Sequence, residues 1–223
     1  MFQHRSAHGL ARVLVLAGAI CASGFAHANV IINPGFEDPI TFDGAPFVGF
    51  WEGFSAGGAS SVANSMAMPR SGSQSAEFII DEAPNLFAGV LQDVAITAGN
   101  LYDYSGWHKL IGDAGGIEIR IEWRNSGSNT EISRTSNFTP VLTSGADYEM
   151  FSLTGLLAPA GADTARVVYA IQSFGGAISQ DVFLDDVSFM GQGAEAAAPI
   201  AATLALMGGG LLGLLGFARR RRS

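Results

Sequence analysis

One acidic side chain interrupts an apolar pattern near the end of the chain. The alternation of faces along the segment VFLDDVSF is expected to place Asp185 on one face with three apolar residues, Phe183, Val187 and Phe189. An isolated carboxylate among such neighbours is costly unless it is neutralised, hydrogen-bonded or bound to a cation. Two interpretations stay open. Either Asp185 helps to hold a hard cation, or it caps a turn through backbone N–H groups while Asp186 is solvated.

A tryptophan on a polar strand face suggests a binding surface for sugars. In residues 101–109 the alternation leaves Trp107 among polar side chains, and residues 117–123 alternate three charged residues with an apolar face. Sugars stack on a flat apolar ring rimmed by hydrogen-bonding groups. If the two segments are neighbours, the candidate glycan-binding residues are Trp107, Asp103, Glu118, Arg120 and Glu122. The alternative is that Trp107 packs under a loop and the charges form an ordinary solvated face.

Catalytic motifs are scarce in this sequence. Beyond residue 28, His108 is the only histidine and there is no cysteine. The sequence contains no G-x-S-x-G nucleophile elbow, no zinc-ligand spacing and no Gly-rich phosphate loop. A glycosidase pair needs two carboxylates about 5 to 9.5 Å apart, a distance that sequence alone does not define. We therefore expect no catalytic site and no enzyme activity.

The elements that would position these residues are strands. Period-two patterns predict strands at 75–80, 101–109, 117–123, 165–171 and 182–189, separated by clusters of Gly, Pro, Asn, Asp and Ser. Trp51 and Trp123 are assigned to the core, Trp123 because it shares a face with three isoleucines. No stretch of twelve residues in this region forms a convincing amphipathic helix. The sequence therefore predicts an all-β sandwich or barrel over residues 29–190.

The N-terminal residues 1–28 are typical of a secretory signal. Two arginines precede a short apolar stretch, and Ala26 and Ala28 form an A-x-A cleavage site. The alternative is a lipoprotein acylated at Cys21, but Ile20 stands where lipidation sites have a small residue. Cleavage after Ala28 would leave no cysteine, so the exported domain would be held by its core, or by a core and a metal ion.

The C-terminal residues 199–223 predict a membrane-spanning helix behind a short linker, residues 191–198. About 19 apolar or small residues match the roughly 20 that cross the hydrocarbon, and four arginines follow them. The positive-inside tendency keeps those arginines in the cytoplasm and the domain outside. The basic cluster consists of Arg219, Arg220, Arg221 and Arg222.

This tail resembles the PEP-CTERM sorting tails of Gram-negative bacteria. The resemblance rests on the segment PIAATLAL, the Gly/Leu-rich span and the terminal arginines. It implies processing by an exosortase at the inner membrane, followed by release to the cell surface. Of the Pro-Glu-Pro element only Pro199 is present, with Ile200 and Ala201 in the other two positions. A variant sortase or permanent anchoring therefore remains open.

A second resemblance covers nearly all of residues 29–190. The segments that carry it, in order, are NPGFE at 33–37, Trp51, Ser71-Gly72, AGNLY at 98–102 and FLDDVSF at 183–189. Together they resemble carbohydrate-binding modules of the galactose-binding-like jelly-roll type, the family 4/9/22 group. The resemblance implies an antiparallel jelly-roll β-sandwich, a structural Ca²⁺ ion and often a glycan cleft on the concave sheet.

The same resemblance implies which residues would hold Ca²⁺. Glu37 of the Gly-Phe-Glu motif and Asp185 would supply carboxylates, and carbonyls near Asn33 and around Ser71 would complete the shell. Oxygen ligands of this kind suit a hard cation. Such an ion would tie the first strand to the last.

The net charge of the chain limits the classes of molecule that it is expected to bind. The whole chain has a formal net charge of −8, but six of its twelve basic residues lie in the two terminal segments. In residues 29–198, six basic side chains face twenty acidic ones, a net charge of −14. This balance argues against a nucleic-acid partner.

Together these features predict an exported, surface- or exopolysaccharide-associated protein of the biofilm matrix that binds glycans weakly without catalysis. A structural or adhesive protein that binds no sugar is the first alternative. A glycoside hydrolase or lyase is the minor alternative.

Overall fold

The computed structural model describes residues 28–173, 176 and 178–192. The signal segment with Ala26, and the tail with Pro199 and its four arginines, lie outside the described residues. Their predicted cleavage, membrane insertion and sorting therefore stay predictions. No helix within the described ranges is long and apolar enough to cross a membrane.

Ten antiparallel strands form the described part of the chain. In chain order they are β1 (Glu52–Ser55), β2 (Ser60–Ser65), β3 (Ser75–Ile80), β4 (Phe87–Ala95), β5 (Leu101–Leu110), β6 (Gly116–Asn125), β7 (Thr130–Arg134), β8 (Glu149–Leu157), β9 (Thr164–Gln172) and β10 (Gln180–Gln192). The front sheet has the order β1-β4-β9-β6-β7, and the back sheet has the order β2-β3-β10-β5-β8. The predicted all-β sandwich is confirmed, and all five predicted strands are present.

The core lies between the two sheets and follows the period-two pattern. On β6, Ile117, Ile119, Ile121 and Trp123 all face inwards and are buried. Trp51 is fully buried just before β1, where its indole N–H donates to the Asn33 carbonyl at 2.9 Å. Both assignments of tryptophan to the core are confirmed.

A bulge in β10 changes which face its residues occupy. Asp185 pairs with Trp107 of β5, and Ser188 pairs with Ser105, so β10 has one residue more than β5 across this interval. Asp186 adopts a left-handed conformation, φ 48°, at this point. A bulge of one residue reverses the side-chain alternation of the strand beyond it.

The bulge overturns the predicted face of this segment. Val187 and Phe189 face the core as expected, together with Leu184 from before the bulge. Asp185, paired with the outward-facing Trp107, lies on the outer face of the back sheet, as does Phe183. The expectation that Asp185 shares one face with Phe183, Val187 and Phe189 was therefore wrong.

Candidate functional site

Trp107 lies on the outer face of the back sheet, where the alternation places it. The guanidinium carbon of Arg70 is 3.9 Å from the centroid of its ring, and Arg70 also pairs with Asp186. Asp103, on the same strand face, accepts the N–H of Gly155 at 2.8 Å and so holds β8. One face of the indole is thus covered by the guanidinium of Arg70.

The predicted rim does not surround Trp107. Glu118, Arg120 and Glu122 face outwards from β6, whose neighbours among the ten strands are β7 and β9 of the front sheet. Trp107 and Asp103 belong to the back sheet. The two groups therefore lie on opposite outer faces of the sandwich, and the condition for one shared glycan site is not met.

The outer face of the front sheet, here called the front face, has small residues at its centre. Across the β4–β9 pair, Gly89 stands opposite Ala170 and Leu91 stands opposite Val168. Val168 and Ala170 are only 1% and 2% exposed. Larger side chains around them therefore cover these central residues, which are here called the floor of the front face.

A row of charged side chains borders this floor on β6 and β9. Arg120 donates to Glu122 at 3.0 and 2.8 Å and also pairs with Glu118. Arg166 donates to the two carboxylate oxygens of Asp93 at 2.8 and 2.9 Å. These side chains are 8 to 17% exposed. Mutual pairing holds them in fixed orientations, which favours specific hydrogen bonding to a ligand.

Aromatic side chains border the same floor on β1 and β4. Phe54 pairs with Gly89 and Phe87 pairs with Gln172, so both rings belong to the front face. Their centroids are 6.2 Å apart, and the tip of the Phe54 ring lies where a β-carbon at Gly89 would stand. Phe87 is 41% exposed. The front face thus combines aromatic surface with a charged, hydrogen-bonding border, the combination that sugars require.

Sequence reasoning missed Phe54 and Phe87. β1 is only four residues long, too short for an alternation to stand out, and Phe87 is the first residue of β4. The available signal was Gly89, since a glycine inside a strand often marks a close approach of another group. Here that group is the Phe54 ring.

Both carboxylates implied as Ca²⁺ ligands meet the same loop, residues 70–74. Asp185 accepts the backbone N–H groups of Arg70 and Ser71 at 2.8 and 3.1 Å, and that of Asp186 at 2.7 Å. Burial raises the pKa of Asp185, and these N–H donors oppose that rise. Asp185 is therefore an acceptor for backbone N–H groups here, whereas Asp186 is paired with Arg70 rather than simply solvated.

The remaining implied ligands are also engaged. Glu37 Oε1 accepts the N–H groups of Ser73 and Gln74 at 2.8 and 3.2 Å. The carbonyl of Asn33 accepts the indole N–H of Trp51 at 2.9 Å and the backbone N–H of Phe36 at 3.2 Å, and the hydroxyl of Ser71 donates to Asp186.

The implied Ca²⁺ ligands are carboxylate and amide oxygens, which are hard atoms of the kind that Ca²⁺ prefers. Within the described ranges, however, no three acidic, His or Cys side chains gather closely enough to hold a metal ion. N–H donors already occupy several of their lone pairs. The residues fit the ion by type, and Ca²⁺ binding stays a prediction.

Comparison with known proteins shows a shared fold. No protein-family model matches the sequence, and no curated protein matches it. The CBM22-1 xylan-binding domain from Paenibacillus barcinonensis Xyn10C is similar in structure, with 14% identity, a TM-score of 0.52 and coverage of 76% of this chain and 97% of that one. The CBM22-1–GH10 modules of a Clostridium thermocellum endo-1,4-β-D-xylanase, complexed with xylohexaose, give 18% identity and a TM-score of 0.52 over 74% of this chain and 29% of that one.

A third similar structure is the enzymatically active domain of bacteriophage CBA120 tailspike protein 4. It shows 14% identity and a TM-score of 0.54 over 74% of this chain, which spans only 21% of the tailspike chain. The described region therefore has the β-sandwich fold of carbohydrate-binding modules, a fold that also occurs within larger proteins.

Proposed function

We propose that this chain is an exported, non-catalytic protein whose front face binds extracellular polysaccharide weakly. The observation that carries the proposal is the front face itself, with Phe54 and Phe87 on one border, small residues between, and the paired Glu118–Arg120–Glu122 row on the other. Sheet faces that present aromatic rings and paired charged side chains bind sugars through a few stacking and hydrogen-bonding contacts, which gives modest affinity.

The proposal includes the surface location. Residues 1–28 direct export, and the C-terminal span holds the domain outside the inner membrane until an exosortase-type enzyme processes the tail. A polysaccharide of the matrix is then within reach of the front face. The C-terminal arginines stay on the cytoplasmic side throughout.

Phe54→Ala is expected to weaken polysaccharide binding about tenfold, the loss of one aromatic stacking platform. The measurement is the retardation of the full-length protein in native gels containing a series of polysaccharides. Trp107→Ala on the back sheet is the matched control, because it also removes an aromatic ring, and it is expected to leave retardation unchanged. Unfolding midpoints of both variants confirm that each has folded.

The results of these gels distinguish the proposed glycan binding from the alternative functions. Loss of binding in Trp107→Ala alone would move the site to the back sheet. No retardation by any polysaccharide would favour the structural or adhesive alternative. Release of reducing ends from a polysaccharide would favour a hydrolase, and release of unsaturated ends would favour a lyase.

We also propose that Ca²⁺ binds beside the loop at residues 70–74 through Glu37 and Asp185. Removing the ion with EDTA is expected to lower the midpoint of thermal unfolding by about 5–10 °C, because an ion bound only to the folded state stabilises it. Ca²⁺, and not Mg²⁺, is expected to restore the midpoint. An unchanged midpoint in EDTA would show that backbone N–H groups alone hold these carboxylates.

A further inference from the structure

A cavity of about 550 Å³ opens at one end of the front face. It lies between the loop at residues 45–48 and the turn at residues 125–129, and its lining includes Arg124, Thr164 and Arg166. Its volume is within the range of small-molecule sites in proteins. Arg166 belongs both to this cavity and to the charged row of the front face, so the two are continuous.

Arg124 is bound more loosely than Arg120 and Arg166, the arginines of the charged row. Its Nη1 is 3.4 Å from Glu122 Oε2, and its Nη2 is 3.3 and 3.4 Å from the carbonyl and side-chain oxygens of Asn129. Arg166, by contrast, meets Asp93 at 2.8 and 2.9 Å. Strong N–H···O bonds have lengths of about 2.9–3.0 Å. Arg124 therefore keeps donor capacity for a further acceptor.

The charges around Arg124 also leave it able to bind a further acceptor. The single carboxylate of Glu122 is shared by three guanidiniums: Arg120 bonds to Oε1, while Arg124 and Arg166 approach Oε2 at 3.4 and 3.9 Å. Arg120 and Arg166 each have a second carboxylate partner. Within the described ranges no second carboxylate pairs with Arg124. Its side chain is only 14% exposed, so its charge is weakly screened by water.

The other polar groups at this end are already committed to one another. Asn125 Oδ1 accepts the N–H of Ser128 at 2.9 Å, and the hydroxyls of Ser126 and Thr164 donate to Asp163 at 2.8 and 2.9 Å. These bonds fix the rim of the cavity and leave Arg124 to contact a ligand. Pro46 and Phe47 also line the cavity, and the guanidinium carbon of Arg166 lies over one face of the Phe47 ring, 4.6 Å from its centroid.

We infer that this cavity binds a uronate residue of an acidic polysaccharide, with the sugar carboxylate on the guanidinium of Arg124 and the sugar ring against the apolar surface of Pro46 and Phe47. This inference rests on the proposed function and names the substrate class. Planar, forked guanidinium groups match carboxylates in a two-point contact.

The distribution of charge favours this end of the molecule for an acidic sugar. Four of the six basic residues in 29–198 lie on the adjacent strands β6, β7 and β9, namely Arg120, Arg124, Arg134 and Arg166. The domain as a whole carries −14 and repels polyanions elsewhere. The same three strands carry three acidic residues, Glu118, Glu122 and Glu131, so their net charge is +1 and a carboxylated sugar is repelled less there than by the domain as a whole.

The test compares acidic polymers with their uncharged esters. Native gels at fixed ionic strength contain polygalacturonate or polyglucuronate, or the methyl ester of either polymer, and the full-length protein is run through each. The wild type is expected to bind the acid form about tenfold more tightly than the ester, the ratio expected for one charge-assisted contact. Arg124→Gln is expected to abolish this ratio by weakening binding to the acid form.

Arg134→Gln is the matched control, because it removes the same charge from β7, where Arg134 pairs with Glu131 outside the cavity. It is expected to keep the wild-type ratio. Arg124→Lys keeps the charge but loses the fork, so an intermediate ratio is expected, and this variant serves if Arg124→Gln does not fold.

Three results overturn the inference. Equal binding of acid and ester by the wild type would do so while leaving glycan binding intact. Equal loss of the ratio in Arg124→Gln and Arg134→Gln would assign the preference to general charge. No retardation by these polymers or by neutral polysaccharides would remove the proposed function as well.

Discussion

Replacing Asp185 with alanine is expected to lower the free energy of unfolding by about 3–5 kcal/mol. The side chain lies on the outer face of the back sheet but is fully buried there. It accepts hydrogen bonds from three backbone N–H groups, those of Arg70, Ser71 and Asp186. Each buried N–H left without an acceptor costs about 1–3 kcal/mol. The measurement is urea unfolding, read as the change in midpoint at constant slope.

Asp186→Asn is the matched control for this prediction. It removes a neighbouring carboxylate, but asparagine tolerates the left-handed backbone that residue 186 requires. Its half-exposed ion pair with Arg70 contributes at most about 1 kcal/mol. A loss below about 1 kcal/mol in Asp185→Ala would mean that the loop at residues 70–74 does not depend on this carboxylate.

The same variant separates the two interpretations of Asp185. If N–H acceptance accounts for its contribution, Asp185→Ala destabilises the protein equally with Ca²⁺ and with EDTA. If Ca²⁺ accounts for it, EDTA reduces the stability of the wild type to that of the variant. Both interpretations agree that the loop at residues 70–74 depends on β10.

The fold was predictable because the signals for it are local. The β6 segment alternates over seven residues without fault, and clusters of turn residues separate it from its neighbours. The bulge in β10 was not predictable in this way. Phe183 and Leu184 are both apolar, so the alternation has two possible phases, and Asp185 can follow either of them. The backbone of Asp186 selects one phase, and pairing with β5 reveals it.

The composition of the site could not be predicted because it depends on which strands share a sheet. β5 and β6 are consecutive in sequence, yet residues 111–115 carry the chain from the back sheet to the front sheet. Trp107 was thereby separated from Arg120. The outward direction of each residue was correct, since alternation fixes it, but no local pattern specifies the pairing partner of a strand.

Stability is expected to fall by about 3 kcal/mol through His108 as the pH drops from 6.5 to 4. His108 lies inside the sandwich, 1% exposed, with Nδ1 hydrogen-bonded to the Tyr169 hydroxyl at 2.9 Å. Burial lowers its pKa from 6.5 to about 4, because the charged ring would lose its hydration. Between these two pH values the unfolded chain binds a proton that the folded chain does not, so acid favours unfolding.

Asp181 acts in the opposite direction and must be separated from His108. Burial and the nearby charge of Glu77 raise the pKa of Asp181 to about 6, and its Oδ1 has no hydrogen-bond partner among the described residues. As the pH falls, Asp181 therefore takes up a proton in the folded state before it does so in the unfolded chain. Its protonation raises the free energy of unfolding as the pH falls from 6 towards 3.8. The two effects partly cancel in the wild type.

A comparison of variants isolates the histidine. His108→Gln keeps a polar group near Tyr169 but does not titrate, so its deficit in unfolding free energy at pH 7 is expected to shrink by about 3 kcal/mol at pH 4. Asp181→Asn is expected to steepen the loss of stability with acid instead. Urea unfolding at pH 7, 5.5 and 4 measures both changes. Parallel curves for His108→Gln and the wild type would show that the imidazole titrates normally and is not enclosed by the two sheets.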